Sequence, residues 1–425
     1  MTTTSTTTES TTTADLDRWN LLDPAVQQCP YRFYQAARAQ APIYRMPQTG
    51  FYLVTSFDLC REVIREPDLY ASGVSPMALR EGGVPQAIID IYANEGWLPE
   101  ASCSTSDPPR HTRVREFLEP LFTVQRVREL TPMIDAVAHE LLDALGDRRD
   151  VEFVHDFSHP LPMIVIARLI GVPDDDLARF KAWSDAIVEP FSMMVSPERE
   201  LECARLVVEM QHYFADLLAD RRANPRDDLL TAVVRAGDDP ELHFDLREQL
   251  TILTIDLLAS GNETTTAAIT SGMKLLIENP SVVAELRSDP RLFRNLTEEI
   301  LRLESPAQGM FRRVTRDTTL GGVDLHEGDL LSVRFGAANR DEHQFPQPEA
   351  LDLHRQQPGK HLALGIGRHH CIGAQLARQE ITSAMQALLE RYESFALTPG
   401  RPAPDYTPSF FGRNLHELHV TLTRR

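Results

Sequence analysis

Cys371 lies in a segment whose residue types and spacing favour an ionised sulfur. Residues 365–380, GIGRHHCIGAQLARQE, place two glycines and two histidines before the thiol and a helix-like pattern after it. The glycines allow the backbone to turn sharply and to approach a flat group closely. At the start of a helix, free N–H groups and the dipole favour a thiolate, by about 0.3–1 kcal/mol for the dipole alone. The segment therefore predicts a thiolate that could be a nucleophile, a zinc ligand or an axial ligand of haem iron.

Other interpretations of this segment are less well matched. A zinc site needs three or four converging ligands, whereas His369, His370 and Cys371 are consecutive. A cysteine hydrolase needs a base across a cleft, which the sequence does not identify. A dinucleotide-binding GxGxxG loop would need a glycine where His370 stands. A small buried thiol is the commonest state of a free cysteine, and we expect it for Cys29, Cys60, Cys103 and Cys203.

A second segment whose residues could take part in a reaction is the long apolar helix predicted over residues 251–280, ending before Pro280. Gly261 at its centre costs about 1 kcal/mol. Ser260 and the threonines at 264–266 can bond to carbonyls one turn earlier and bend the helix. Glu263 and Thr264 place an acid beside an alcohol at this bend. For this segment taken alone, a kinked core helix with a solvated Glu263 is the alternative.

The stretch LGIGRHHCIG resembles the FGxGxHxCxG loop of the cytochrome P450 family, the haem-thiolate monooxygenases. The resemblance implies that Cys371 is the axial iron ligand of haem b (iron protoporphyrin IX) and that Gly373 contributes to the cofactor site. The sequence has no CxxCH attachment motif, so we expect noncovalent haem. Leu364 stands where the family usually has phenylalanine, which shields the sulfur. We expect leucine to change the potential of the iron without removing ligation.

Two further motifs resemble the same family. EILR (299–302) resembles ExxR, with Arg355 as the third member of a buried triad, Glu299, Arg302 and Arg355, that holds the cysteine loop. Such charges are tolerated in a core only when they are paired. DPPRHTRVR (107–115) resembles DPPxHxxxR at the start of a helix. Haem propionates are carboxylates and form strong charge-assisted hydrogen bonds, and the resemblance implies four partners for them: His111, Arg115, Arg312 and His369.

The centre of the long helix resembles the family's AGx(D/E)TT, with Ser260 in place of the usual alanine. The resemblance implies that a groove at Gly261 accommodates dioxygen, while Glu263 and Thr264 deliver protons through water. The implied reaction inserts one oxygen atom from O2 into a substrate, by hydroxylation or O-dealkylation. The alternatives are a haem-thiolate sensor or ligand-binding protein, and an isomerase or dehydratase that does not activate dioxygen. The Glu263–Thr264 pair disfavours both, because neither needs this proton delivery.

The family's substrate-contact regions carry mainly apolar residues here. This composition predicts a small hydrophobic substrate that is terpene, aromatic or steroid-like. Each of these residues could equally be ordinary core. The candidates for the pocket wall are Trp97, Phe191, Met194, Leu257, Ser260, Met310 and Phe410.

The elements that must position these residues are mostly helical, so the predicted fold class is mainly α with small peripheral β-sheets, the cytochrome P450 fold. Apolar residues recur every three to four positions over residues 130–145, 201–223 and 372–392. Short strand patterns flank a turn at 48–50 and another at 326–328, and one closes the chain. Glycines and prolines predict a long coil over roughly 72–106.

The composition and net charge of the chain narrow its possible partners and location. The 425 residues carry a formal net charge of -19, which argues against nucleic acid or anionic lipid as a partner. We expect no membrane span and no signal peptide, hence the cytoplasm. The threonine-rich residues 1–15 predict a disordered tail, and residues 16–425 a single haem domain.

Electrons for the reaction must come from a separate protein, because the chain has no iron–sulfur cysteine spacing and no flavin segment. We expect a ferredoxin-type donor that docks near the Cys371 face. A small acidic protein would complement a basic patch there. The arginines predicted for this patch are Arg110, Arg113, Arg126, Arg128 and Arg368; a solvated arginine face is the alternative.

Overall fold

The structure is a computed structural model that describes residues 16–74, 79, 83–173 and 176–425. The predicted disordered tail, residues 1–15, lies outside the described residues. The fold is mainly helical with small sheets, as predicted. The helices are α1 (Pro24–Gln28), α2 (Tyr31–Gln40), α3 (Phe57–Arg65), α4 (Gln86–Glu95), α5 (Arg110–Leu118), α6 (Val124–Ala144), α7 (Pro160–Ile170), α8 (Leu177–Val188), α9 (Pro197–Ala223), α10 (Leu229–Asp238), α11 (Leu246–Thr251), α12 (Ser260–Glu278), α13 (Pro280–Ser288), α14 (Phe293–Glu304), α15 (Phe335–Ala338) and α16 (Ala374–Arg391).

The strands form three small sheets. One has five strands in the order β1-β2-β8-β5-β3, one has three in the order β4-β10-β9, and β6 pairs with β7. The first of these contains the one parallel pair in the described part of the chain, β2 with β8. The strands are β1 (Ile43–Arg45), β2 (Tyr52–Val54), β3 (Tyr70–Ala71), β4 (Asp150–Glu152), β5 (Met310–Val314), β6 (Thr318–Leu320), β7 (Val323–Leu325), β8 (Leu330–Val333), β9 (Tyr392–Leu397) and β10 (His419–Arg424).

Helix α12 lies in the centre of the helical core and packs against α7, α14 and α16. From Thr265 to Met273 every side chain is buried, as expected for a helix that is surrounded by others. Helix α16, which follows Cys371, also packs against α6. The central helix and the cysteine helix are therefore held in direct contact.

Helix boundaries follow local capping signals that periodicity alone does not give. Helix α9 begins before the predicted start at 201, because Ser196 accepts from Arg199 N (3.3 Å) and Pro197 takes the first helical position. Helix α6 likewise begins at Val124, after the cap Thr123, and continues through Pro132. Helix α16 spans nearly the predicted residues.

The prediction of a coil over 72–106 is wrong in its described part. Helix α4 spans Gln86–Glu95, and a 3-10 turn spans Cys103–Thr105. Ile88 and Ile91, three residues apart, are buried and pack with Ala204 and Val208 of α9. Tertiary packing of this short apolar face stabilises a helix that surrounding glycines and prolines conceal.

Of the two turns predicted to join paired strands, one does so and the other does not. Strands β1 and β2 pair across the turn at 48–50, as expected. The turn at 326–328 does not join a hairpin, because β6 pairs with β7 around Gly321 and Gly322, while β8 pairs with β2 and β5. Both glycines have a positive φ, 52° and 83°, which the tight connection requires.

Three of the four cysteines that were predicted to be buried are buried, namely Cys60, Cys103 and Cys203. Cys29 is exposed after the short helix α1. The five thiols are free. Among the described residues, no helix has the length and apolar character that crossing a bilayer requires.

Candidate functional site

The cysteine loop has the sharply turned backbone that the sequence predicts. Gly365 and Gly367 adopt positive φ values of 63° and 68°. The loop is closed by a hydrogen bond from Cys371 N to Leu364 O (2.8 Å). Helix α16 begins at Ala374, with Gly373 as its N-cap. Open space lies where a Cβ of Gly373 would stand, so a flat group can approach the backbone there.

Cys371 is accessible, yet it is closely surrounded by protein. Burial raises the pKa of its thiol, while the Gly373 N–H and the guanidinium groups of Arg115 and Arg378 lower it. Cys103, in contrast, lies beside Asp256, and burial raises its pKa to about 12. The pKa of Cys371 is raised overall, so the nearby amide and the two positive charges offset only part of the effect of burial.

A group of imidazole and guanidinium side chains lies close to the cysteine loop. The rings of His111 and His369 lie 4.2 Å apart, and both ring nitrogens of His111 and Nε2 of His369 are buried without hydrogen-bond partners among the described residues. Burial, with the positive charge of Arg312 next in size, lowers the pKa of His369 to about 3. Arg312 is only 4% exposed and makes no ion pair with the described residues. Buried polar groups normally have partners, so this arrangement fits a bound anion.

Arg115, a predicted propionate partner, and Arg313, the neighbour of Arg312, have distinct environments. Arg115 donates from Nη1 to His370 O (2.8 Å) and from Nε to Glu119 (2.6 Å), so it contacts the cysteine loop directly. Arg313, adjacent to Arg312, is exposed on the opposite face of β5. Strand alternation therefore separates Arg312 from its neighbour.

The triad predicted from ExxR forms an ion-pair network in the core. Glu299 and Arg302 are both 0% exposed, and Arg302 Nε and Nη2 donate to the two Glu299 oxygens at 2.6 and 2.9 Å. Arg355 Nε also donates to Glu299 Oε1 (2.8 Å). The remaining donors of both arginines bind backbone carbonyls of residues 339–350.

Asn339 connects this triad to the segment that leads into the cysteine loop. Its carbonyl accepts from Arg302 Nη1 (3.1 Å), and its side-chain Oδ1 accepts from Leu362 N (2.6 Å). Asn339 is 0% exposed. Sequence reasoning did not find Asn339, because nothing in its local pattern indicates these distant partners.

The long predicted helix is interrupted by a π-helical stretch, Ile252–Ala259, immediately before α12. Ser260 Oγ donates to Ile255 O (2.8 Å), and Thr264 Oγ1 donates to Ser260 O (3.1 Å), as the back-bonding prediction requires. Ser260 is exposed although the helix is central. The position of a Cβ on Gly261 would be 3.4 Å from Ile166, an ordinary contact. The widened backbone, rather than the missing Gly261 side chain, is the unusual feature of this region.

Glu263 lies in a polar cluster between α12, α8 and the residue before α7. Its Oε1 accepts from Asn262 Nδ2 (3.1 Å) and from Ser184 Oγ (3.3 Å). Asn262 Nδ2 also lies 3.3 Å from His159 Nε2. Burial, then the charge of Asp185, raises the pKa of Glu263 to about 7. The carboxyl group can therefore hold a proton near neutral pH, which excludes a freely solvated Glu263.

The predicted pocket residues separate into two groups. Leu257 and Phe410 are 2% and 1% exposed, which favours the ordinary-core alternative for these two residues. Four side chains are partly exposed, namely Trp97, Phe191, Met194 and Met310, and Ser260 is exposed.

Trp97 is fastened to helix α9. Its backbone N–H donates to Gln211 Oε1 (3.0 Å), and its backbone carbonyl accepts from Gln211 Nε2 (2.7 Å). Its ring lies 5.0 Å from that of His212. The backbone at residue 97 is thus bonded to helix α9 through one amide side chain.

The predicted basic patch is largely compensated. Arg110 and Arg113 share Glu248, a side chain that is 9% exposed, so both belong to the packing of α5 against α11. Arg126 pairs with Glu129, and Arg368 with Asp68, at more exposed positions. Arg128 is exposed and makes no ion pair with the described residues.

Fold and site together define a haem-thiolate class of protein, in which a cysteine just before a helix lies near the guanidinium groups of Arg115 and Arg378. The sequence profile of the cytochrome P450 family matches residues 94–418. The chain is 34% identical to 6-deoxyerythronolide B hydroxylase of Saccharopolyspora erythraea, over 92% of this chain and 96% of that protein. It is 31% identical to vitamin D(3) 25-hydroxylase of Pseudonocardia autotrophica, over 97% and 99%.

A solved structure shares the fold. The crystal structure of P450BioI, in complex with an acyl carrier protein that carries hexadec-9Z-enoic acid, superposes with a TM-score of 0.83. Its sequence is 29% identical, covering 94% of this chain and 100% of that one. The chain belongs to the cytochrome P450 family, the haem-thiolate monooxygenases, whose cofactor is iron protoporphyrin IX.

Proposed function

We propose that the protein is a monooxygenase in which Cys371 ligates the iron of haem b and residues of α12 supply protons. The unpartnered nitrogens of His111 and His369 beside buried Arg312 support this assignment best. They would hold the haem propionates, with Arg115 bracing the loop at His370 O. When bound, haem supplies the one-electron and dioxygen chemistry that side chains lack. We further propose that residues 16–425 form one haem domain.

The polar groups of α12 have separate tasks in this proposal. Glu263 takes a proton from solvent on the α8 side, where Asp185 and Lys181 are partly exposed, and holds it on its carboxyl group, whose Oε1 accepts from Ser184. Thr264 uses its own proton on Ser260 O, so its lone pairs accept a hydrogen bond from water in the open π-helical region. Protons thus reach the reaction through ordered groups, while the apolar wall limits entry of bulk water.

The substrate we propose is a small hydrophobic molecule, terpene, aromatic or steroid-like. The partly exposed wall residues are apolar or amphipathic, and flexible methionines adapt to irregular ligands. Two relatives are named as hydroxylases of 6-deoxyerythronolide B and of vitamin D(3). We expect small hydrophobic compounds of the proposed class to shift the spin state of the ferric haem. In an absorbance titration, a panel of hydrophilic compounds of equal size is the control, and a preference for that panel would refute the substrate class.

Replacing the alcohol of the relay tests the reaction itself. In Thr264→Ala we expect normal haem content and substrate binding, but product formed per NAD(P)H consumed should fall roughly ten-fold or more, since positioned proton donors contribute about 10²–10⁴-fold. Ser260→Ala is the matched control. It also removes a helix hydroxyl, and it restores the family's usual alanine, so coupling should be retained. Equal coupling in Thr264→Ala and wild type would rule out the relay.

We propose a cytoplasmic location and a separate ferredoxin-type electron donor that docks near Cys371. The exposed arginines Arg126, Arg128 and Arg368 form the docking patch in this proposal, without Arg110 and Arg113. Exposed ion pairs contribute little, with a median of about 0–1 kcal/mol. An acidic partner can therefore displace Glu129 and Asp68 from these arginines at small cost.

A further inference from the structure

Glu298 directly precedes Glu299 of the triad but binds an entirely different set of partners. Its side chain is 7% exposed. Oε2 accepts from His361 Nε2 (2.9 Å) and Arg378 Nη2 (3.1 Å), and Oε1 accepts from Arg378 Nε (2.7 Å). One carboxylate thus connects helix α14 to the segment before the cysteine loop and to helix α16 behind it.

The two partners of Glu298 stand on either side of Cys371 in the chain. His361 precedes the loop, and its Nδ1 accepts from Ala363 N (3.2 Å), which leaves Nε2 as the donor to Glu298. Arg378 lies in the second turn of α16. Glu298 therefore fastens the loop at both ends, in parallel with the Asn339 connection at Leu362.

The Glu298 carboxylate carries a negative charge although it is buried. Burial alone would raise the pKa of Glu298, but the hydrogen bonds from His361 and Arg378 lower it to about 2. Glu298 is therefore ionised at any working pH, and it holds Arg378 by two bonds in a fixed orientation.

We propose that Glu298 is a positioning residue of the cysteine site: it braces both ends of the loop, through His361 before Cys371 and through Arg378 behind it. The inference depends on the proposed function, because it assumes that Cys371 ligates haem iron. Without the brace the loop is freer to move, so a smaller share of the protein should keep the sulfur in place for the iron.

The experiment compares variants of the haem-loaded protein by the absorbance of the reduced carbon monoxide complex. Arg378→Gln removes the two-bond arm behind the loop and should increase the fraction of the complex that lacks the red-shifted thiolate band. Arg378→Lys keeps the charge but not the two-bond geometry, so it should behave like Arg378→Gln. Arg391→Gln, which removes a positive charge at the far end of α16, is the control and should leave the band unchanged. A Lys variant equal to wild type beside a defective Gln variant would show that the charge alone matters and would overturn the brace at Arg378.

Variants of Glu298 and His361 test the brace by the absorbance of the reduced carbon monoxide complex. Glu298→Gln should increase the fraction of the carbon monoxide complex that lacks the red-shifted thiolate band, and His361→Gln, which removes one arm only, should do so to a smaller extent. If Glu298→Gln does not fold, His361→Gln carries the test. A thiolate fraction equal to wild type in the variants that fold contradicts the brace. If the wild-type protein itself lacks the red-shifted band, the proposed function fails, and not the brace alone.

Discussion

Cys371→Ser should abolish the red-shifted Soret band of the reduced carbon monoxide complex and reduce turnover to background. Serine is nearly isosteric, but its hydroxyl is far less acidic than a thiol, so it stays protonated where a thiol can lose its proton to bind a metal. The Gly373 N–H and the charges of Arg115 and Arg378, which favour an anion at this position, then act on a neutral group. Absorbance spectra of purified variants and product analysis check the result.

Cys29→Ser is the matched control for this substitution. Cys29 is also exposed, but it follows the short helix α1. Its replacement should leave the spectrum and turnover unchanged. A red-shifted band that persists in Cys371→Ser would show that another group ligates the iron and would end the proposed assignment.

Glu299→Gln should cost the protein much of its stability. The substitution removes the carboxylate charge and leaves Arg302 and Arg355, at 0% and 6% exposure, without their counter-ion. Breaking a buried pair by removing one partner destabilises a protein by about 3–5 kcal/mol. Urea unfolding curves should show a correspondingly lower midpoint. Haem should also dissociate more readily, because Arg302 holds Asn339, which holds Leu362 ahead of the cysteine loop.

Glu278→Gln offers the same chemical change at a surface position. Glu278 pairs with Lys274 at the end of α12, and its side chain is 49% exposed. Exposed pairs of this kind are worth about 0.3–0.5 kcal/mol, so the unfolding midpoint should hardly move. Similar midpoints for the two variants would mean that the Glu299 network carries little stability.

Local sequence patterns predicted those parts of the site that a single segment builds. Positive φ at Gly365 and Gly367, the helix that begins after Cys371, and the back-bonded Ser260 and Thr264 follow from residues within one or two turns of each other. The mainly helical class followed from periodicity over long stretches. In these regions, local preference and final structure agree.

Groups assembled from distant segments were not predicted. Asn262, Ser184 and His159 meet at Glu263 although Ser184 and His159 lie 78 and 103 residues from Asn262. No periodicity encodes such a meeting, which depends on how α7, α8 and α12 pack. The same applies to Leu257 and Phe410: the choice between core and pocket wall depends on their neighbours in space. Family position alone led to their assignment as wall residues.

The amide of Gln211 has a consequence for engineering the protein. Because it bonds the backbone N–H and the backbone carbonyl of residue 97, the anchor is kept when the Trp97 side chain is replaced and is lost when Gln211 is replaced. A library that varies residue 97 therefore samples new shapes on a fixed backbone. Directed evolution toward bulkier compounds should keep Gln211 fixed and vary Trp97, Phe191, Met194 and Met310.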